Sequence, residues 1–414
     1  MTEQFSMTEI GALRVIHMQS PTDVAYCGLA IDAGTRDEHP DEQGMAHFCE
    51  HMLFKGTEHR RAWHILNRME AVGGDLNAYT TKEETFVYAA FLREHLQRAV
   101  ELLMDVVFHS TFPQHEIDKE AEVIVEEIES YKDTPSELIF DEFENRLFAG
   151  HPLGHDILGT AERVRSFRTS DALRFTRRLY RPERMVLFVF GRFDFETVRN
   201  IVSKELEKAF ITSASSRKTH YKRPVRTLPF TPTFTQTLDR HTHQAHVMMG
   251  CQGYSSTDKR RIALYFLNNL IGGPGMNSLL NVALREHRGL VYTVESTLTN
   301  YTDTSTFSIY FGCDSDDVES CISLVRKELT QLAEIPLTQY RFDAALRQIR
   351  GQIGVACDNF ENYALDMAKS YLHYHRIEGV EDTYRQLSQL TPKLLQEVAA
   401  DLFQNEKISV LVYQ

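Results

Sequence analysis

The chain has 414 residues, a net charge of -13, and 42% hydrophobic against 25% charged residues, the balance of a folded protein too long for one hydrophobic core. The acidic excess, with no Lys/Arg cluster interleaved with aromatics, argues against nucleic acid as a partner. The apolar runs, MVLFVF being among the longest, fall far short of the ~20 residues that span a bilayer.

The first residues, MTEQFSMTEIGALRV, lack the basic start and apolar stretch of a secretory signal, so a cytoplasmic location is expected. Six cysteines without CxxC pairs fit reduced, mostly buried thiols. Residues 24–38, VAYCGLAIDAGTRDE, read as a strand leading into a glycine-containing loop. After Pro40, Met45, Phe48, Met52 and Leu53 recur at helical spacing and predict a helix over 41–54. His47 and His51 then leave one face and can reach one ion, with Glu50 beside them, an HxxEH arrangement that reverses HExxH. Neutral imidazole suits zinc, and a nearby unligated carboxylate, here Glu50, can take a proton from zinc-bound water. In a chain with 18 histidines the pentapeptide is only moderately specific, so a third ligand decides the matter.

Residues 73–91, GGDLNAYTTKEETFVYAAF, read as a glycine turn and then a strand, a shape suited to an edge that an extended peptide could join. The helix beginning near Gln114 carries Glu116, Glu120, Glu122, Glu126, Glu127 and Glu129. Its apolar seam is Ile117, Ala121, Ile124 and Ile128; Glu120 and Glu127 flank that seam while Glu122, Glu126 and Glu129 project away. Inward carboxylates are costly unless they meet a metal or a counter-charge, which narrows the six to Glu120 and Glu127. Residues 181–194 read as a turn and a buried strand, and residues 211–229, rich in Ser, Thr and basic residues, as a linker. In HTHQAH, strand spacing puts His241 and His243 on one face and His246 on the other, an exposed polar face and not a metal site. The loop IGGPGMNS lacks the glycine register and GK[ST] of a phosphate cradle. Downstream, a helix is stopped by Gly289 and followed by a strand, with Arg285 and Tyr292 on either side of the stop.

The closing residues 405–414 repeat the turn and strand of 181–194, residues 337–353 resemble 112–128, and residues 244–258 resemble 24–38, at a nearly constant offset. An internal duplication is the economical explanation. It gives an α+β fold of two duplicated domains, each a mixed β-sheet with helices packed on one side: a metal-binding domain over 1–210, the linker, and a non-metal domain over 230–414. In the second copy the places of Glu120 and Glu127 are taken by Ala345 and Gln352, so the helix itself does not require acids there.

With HxxEH at 47–51 followed by EAEVIVEEI, the chain resembles the pitrilysin/insulinase family of zinc peptidases, in particular its two-domain, processing-peptidase-like members. DAGTRDE, GGDLNAYTTKEET, HPLGHDILGT and LREHRGLVY carry the resemblance over the whole chain. The resemblance implies a metalloendopeptidase with one Zn2+ per chain, held by His47, His51 and Glu127, with Glu120 as an accompanying carboxylate and Glu50 as catalytic base. It further implies that Asn77 and Ala78 hold substrate backbone, and that Arg285 and Tyr292 hydrogen-bond the substrate carbonyl or developing oxyanion. Chains of this length in the family pair into a clamshell, which implies a homodimer or a non-identical family partner, with Arg285 and Tyr292 able to serve the other subunit's zinc. Where the family often shows Ser-Arg-Leu-Phe, this chain has Ser278, Leu279, Leu280 and Asn281. The alternative is a non-catalytic structural or substrate-presenting subunit; such chains typically lose a ligand or the base, and here all four residues are kept.

Overall fold

The computed structural model describes residues 5–209, 221, 223–224 and 232–414. The strands are β1 (Phe5–Ile10), β2 (Leu13–Met18), β3 (Val24–Ile31), β4 (Asp75–Thr80), β5 (Thr85–Leu92), β6 (Met185–Phe190), β7 (Thr235–Leu238), β8 (Ala245–Gln252), β9 (Val291–Asn300), β10 (Ser305–Cys313) and β11 (Ser409–Tyr413). The helices are α1 (Met45–Met52), α2 (Ala62–Glu70), α3 (Leu96–Phe108), α4 (Gln114–Lys132), α5 (Pro135–Leu147), α6 (Ala161–Ser166), α7 (Thr169–Leu179), α8 (Phe195–Ala209), α9 (Arg261–Gly272), α10 (Val318–Glu334), α11 (Gln339–Ala356), α12 (Phe360–Tyr374), α13 (Val380–Ser388) and α14 (Pro392–Leu402). No helix among the described residues is long and apolar enough to cross a membrane.

Two compact units result, and neither is a continuous half of the chain. The first takes Met1–Glu129, His155–Arg223 and Cys357–Gly379; the second takes Ser130–Gly154, Pro224–Ala356 and Val380–Gln414. Relative to the limits expected from sequence, residues 130–154 and 357–379 have changed places. The expected linker lies outside the described residues except for Tyr221, Arg223 and Pro224.

In the first unit the sheet order is β1-β2-β6-β3-β5-β4, with β2 and β6 parallel and the other neighbours antiparallel. One face, through Val15, Cys27, Leu29, Val87, Leu187 and Val189, packs on α1, α3, α4, α7 and α8. The opposite face, through Ile16, Ala30, Phe86, Val186, Phe188 and Phe190, is covered by Ala364, Leu365, Ala368 and Leu372 of α12. A strand buried on both faces needs apolar residues at every position, which is why β6 reads MVLFVF without alternation.

The second unit repeats this plan. Its order β7-β11-β8-β10-β9 matches β2-β6-β3-β5-β4, including the single parallel pair, here β7 with β11. Helices α9, α10, α11 and α14 cover one face, and Ile139, Phe143 and Leu147 of α5 cover the other against Met248, Tyr310, Leu411 and Tyr413. The α+β class and the duplicated mixed sheets are therefore as expected, with one correction: each sheet has its helical layer on one side plus a single helix on the other. That helix follows α4 in one copy and α11 in the other, and each lies on the sheet of the opposite half. Among the described residues no disulfide joins the six cysteines, five of which are buried.

Candidate metal centre

The first unit assembles its candidate site on α1 and α4. Helix α1 begins at Met45 rather than near residue 41, because Gly44 ahead of it is left-handed (φ 89°), and a Cβ there would meet Leu158 O at 2.7 Å. Glycine offers no side-chain cap, and the cap comes from Glu38. Its Oε1 accepts from Ala46 N (2.8 Å) and its Oε2 from Gly44 N (3.0 Å), while His155 Nε2 stands 3.1 Å from the same Oε2. A fully buried carboxylate thus meets the positive end of the helix that carries the histidines. Burial pushes the Glu38 carboxyl up, against those hydrogen bonds. DAGTRDE and HPLGHDILGT, distant in sequence, meet at this cap.

His47 and His51 project from one face of α1 with ring centroids 4.5 Å apart and their planes tilted by 59°. Their Nε2 atoms each lie 3.8 Å from a carboxylate oxygen of Glu127, and one donor atom from each of the three residues falls within 4.8 Å of the others. A separation of 3.8 Å is too long for a hydrogen bond, yet close to the edge of about 3.3 Å between two ligands held ~2 Å from a tetrahedral ion. The donor set and spacing fit zinc. Burial, then the neighbouring His51, push the His47 imidazole down to about 3, so it is neutral and able to donate a lone pair. Burial pulls His51 down too, but the hydrogen bond to Glu120 and the charges of Glu50, Glu127 and Glu120 outweigh it and leave it above its ordinary value.

His51 Nδ1 lies 3.0 Å from Glu120 Oε1, an arrangement that puts the ring proton on Nδ1 and leaves Nε2 facing Glu127. Glu120 is buried, whereas the Glu127 side chain is 45% exposed, so Glu127 borders the open side of the site instead of pointing inward as the seam predicted. Glu50 projects beside the histidines with its Oε2 buried and without a hydrogen-bond partner. Burial raises the Glu50 carboxyl, partly offset by a hydrogen bond from Thr80 and by His51 and reinforced by Glu127. Through Thr80 it reaches β4, against which α1 packs.

Among the described residues strand β4 is an edge, pairing with β5 alone. It carries Asn77, which is exposed and donates to Asp75 Oδ2 (2.9 Å), and the half-buried Ala78. Arg285 and Tyr292 belong to the second unit. Arg285 sits on a π-helical turn, Asn281–Glu286, Gly289 ends that turn with φ 64°, and the Arg285 guanidinium lies 5.8 Å from the centre of the exposed Tyr292 ring. The sequence expectation for HTHQAH needs correcting: His241 and His243 precede β8, and only His246 is on the strand, buried with Nδ1 2.8 Å from Tyr310 Oη.

The second unit has its own version of the α1/α4 arrangement. Helix α9, which follows β8 as α1 follows β3, has no His, Asp or Glu; Tyr265, Asn268 and Asn269 stand at the spacing of His47, Glu50 and His51. Gln352 on α11 accepts from Asn269 Nδ2 at 2.8 Å. A neutral amide pair closes the place where the first unit has a histidine facing a carboxylate.

A model of the insulinase family, peptidase family M16, matches residues 14–161, and a model of the peptidase M16 inactive domain matches residues 166–349. An uncharacterised zinc protease of Streptomyces coelicolor is 32% identical over 393 residues, which span 95% of this chain and 85% of that protein. The chain belongs to peptidase family M16. An uncharacterised zinc protease of Bacillus subtilis is 30% identical over 97% of this chain and 96% of its own length. The M16 fold is shared with a solved protease from Helicobacter pylori, at a TM-score of 0.90 and 20% identity over 100% of this chain and 99% of that one. It is shared as well with an M16 inactive-domain structure from Pseudomonas fluorescens (TM-score 0.90, 19% identity, 100% and 98% covered). The inactive-domain match includes Asn269 and ends three residues before its partner Gln352.

A second group, Glu83, Glu84 and His373, also brings three donors within 4.8 Å. Here positive charge is already in place: Arg36 Nη1 pairs with Glu83 (2.5 Å), and Lys369 Nζ together with His373 Nε2 (3.0 Å) pairs with Glu84. It is an ion-pair cluster holding α12 to the β4–β5 hairpin. Sequence reasoning gave no task to Glu38, His155 or His373, although Glu38 and His155 lie inside the motif strings that carried the resemblance.

Proposed function

We propose that this M16 chain is a zinc-dependent endopeptidase that hydrolyses peptides or unfolded polypeptide segments, with His47, His51 and Glu127 holding one Zn2+ and Glu50 as the base. The observation that carries the reading is the convergence of two Nε2 atoms and the Glu127 carboxylate beside a buried, unpartnered oxygen of Glu50. Zinc, when bound there, would lower the pKa of water and polarise a carbonyl. Glu50 takes a proton from the attacking water and delivers it to the leaving amine nitrogen; the elevated affinity of its carboxyl for protons suits both transfers. An extended substrate adds to the free edge of β4, with Asn77 and Ala78 along its backbone and the scissile carbonyl brought towards Glu50 at the α1 end. Arg285 and Tyr292, a fixed cation and a phenol held next to each other, stabilise charge on the carbonyl oxygen. We assign the working form to a homodimer or to a pair with a non-identical chain of the same family, in which those two residues serve the partner's zinc.

Incubating the purified chain with a mixed peptide library, with and without chelator, and reading products by mass spectrometry tests the proposal. Cuts that vanish with chelator, and that fall ~10²–10⁴-fold in Glu50→Gln while zinc stays bound, are expected. Undiminished cleavage by Glu50→Gln would sink the assignment of the base.

A further inference from the structure

Lys55 lies just past α1, in a turn where its own N–H donates to Met52 O at 3.1 Å. Its Nζ stands 2.6 Å from Glu120 Oε2, while Glu120 Oε1 is the atom that faces His51 Nδ1 at 3.0 Å. The two oxygens of one carboxylate thus have separate partners, one on the candidate ligand and one on the lysine. The Glu120 side chain is only 9% exposed, so its charge is costly without a counter-charge. Held by the histidine alone, the carboxylate would also be free to turn about its last torsion, which has only soft preferences. Lys55 supplies the charge and the second fixed point together.

This matters more for His51 than it would for His47, because the Nδ1 of His47 is buried with no hydrogen-bond partner and receives no such support. Of the two imidazoles, only His51 has a carboxylate behind its Nδ1. We infer that Lys55 is a positioning residue of the metal centre, locking Glu120 so that His51 presents Nε2 to the ion in a single orientation and tautomer. The inference rests on the zinc-centre reading of the site. The competing description is an ordinary ion pair tying the turn after α1 to α4, which would steady the fold and leave metal affinity alone.

Zinc dissociation constants from chelator competition on the full chain, set beside thermal unfolding of the zinc-free protein, separate the two descriptions. Lys55→Met should weaken zinc binding about tenfold or more. Lys55→Arg, which restores a cation, should recover most of that loss, and Lys55→Met should add little on top of Glu120→Gln because both act through one contact. Zinc binding by a folded Lys55→Met within about twofold of wild type, or full additivity in the double variant, overturns the inference. Failure of the wild type itself to bind zinc would overturn the metal reading as well, and is recognised before any variant is made.

Discussion

The first unit places His47, Glu50 and His51 on α1 and sets Glu127 on α4 to face them; the second unit places Tyr265, Asn268 and Asn269 on α9 and sets Gln352 on α11 to meet Asn269. Sheet order and strand polarity are the same in both, apart from the additional edge strand β1 of the first unit. What differs is whether the groups between the two helices engage one another. Asn269 and Gln352 do so by a direct hydrogen bond, and the contact in the second unit is made by neutral chemistry. Two imidazoles and a carboxylate 3.8 Å away do not, and that unfinished set of lone pairs is what a cation completes. The fold supplies the place, and the side chains decide whether it is a metal site.

The severest way to break this difference is to make the first unit like the second. His51→Asn combined with Glu127→Gln should leave a folded chain with no zinc after dialysis and no chelator-sensitive cleavage, read by metal analysis and peptide turnover. Next in size is the cluster that holds α12. Glu84 is fully buried, and Lys369→Met should lower the unfolding free energy by about 3 kcal/mol, measured by urea denaturation, because a buried carboxylate loses its main counter-charge. In the second unit the Glu142 carboxylate of α5, paired with Arg146 and Arg240, is more exposed than Glu84, and Glu142→Gln should cost about 1 kcal/mol or less.

The same cluster sets a pH dependence. Burial alone would raise the Glu84 carboxyl, but Lys369 and His373 hold it below the usual carboxylate range. A depressed carboxylate contributes stability that is present above its unfolded-state pKa and lost as pH falls towards the folded one, so the loss should set in below about pH 4. Thermal unfolding of Glu84→Gln should show a flatter acid limb than wild type. A similarly small effect belongs to the amide pair: Gln352→Leu should cost about 1 kcal/mol and leave zinc content unchanged.

Much of this was legible in the sequence because it is written in local periodicity. The seam of α4 singled out Glu120 and Glu127, both of which do approach His51, and the repeated strand signals gave the duplication. The exchange of α5 and α12 was not legible. An amphipathic helix declares that it buries one face, and Ala364, Leu365 and Ala368 would suit either sheet equally well. The uninterrupted runs in β6 and β11 did carry the signal that something must cover each sheet's second face. The cap of Glu38 on α1 and the pairing of Lys55 with Glu120 were hidden for a different reason, since each depends on residues brought together by the tertiary fold. His246 was misread because strand alternation was extended into His241 and His243, where the chain is still a loop.

The central claim is that a single zinc lies in the first unit and none in its duplicate. Anomalous scattering from crystals at the zinc absorption edge tests it most directly. One peak per chain is expected, coordinated by His47 Nε2, His51 Nε2 and Glu127, with none at Asn269 and Gln352. No peak at the histidines, or a peak at Glu83, Glu84 and His373 instead, would contradict it.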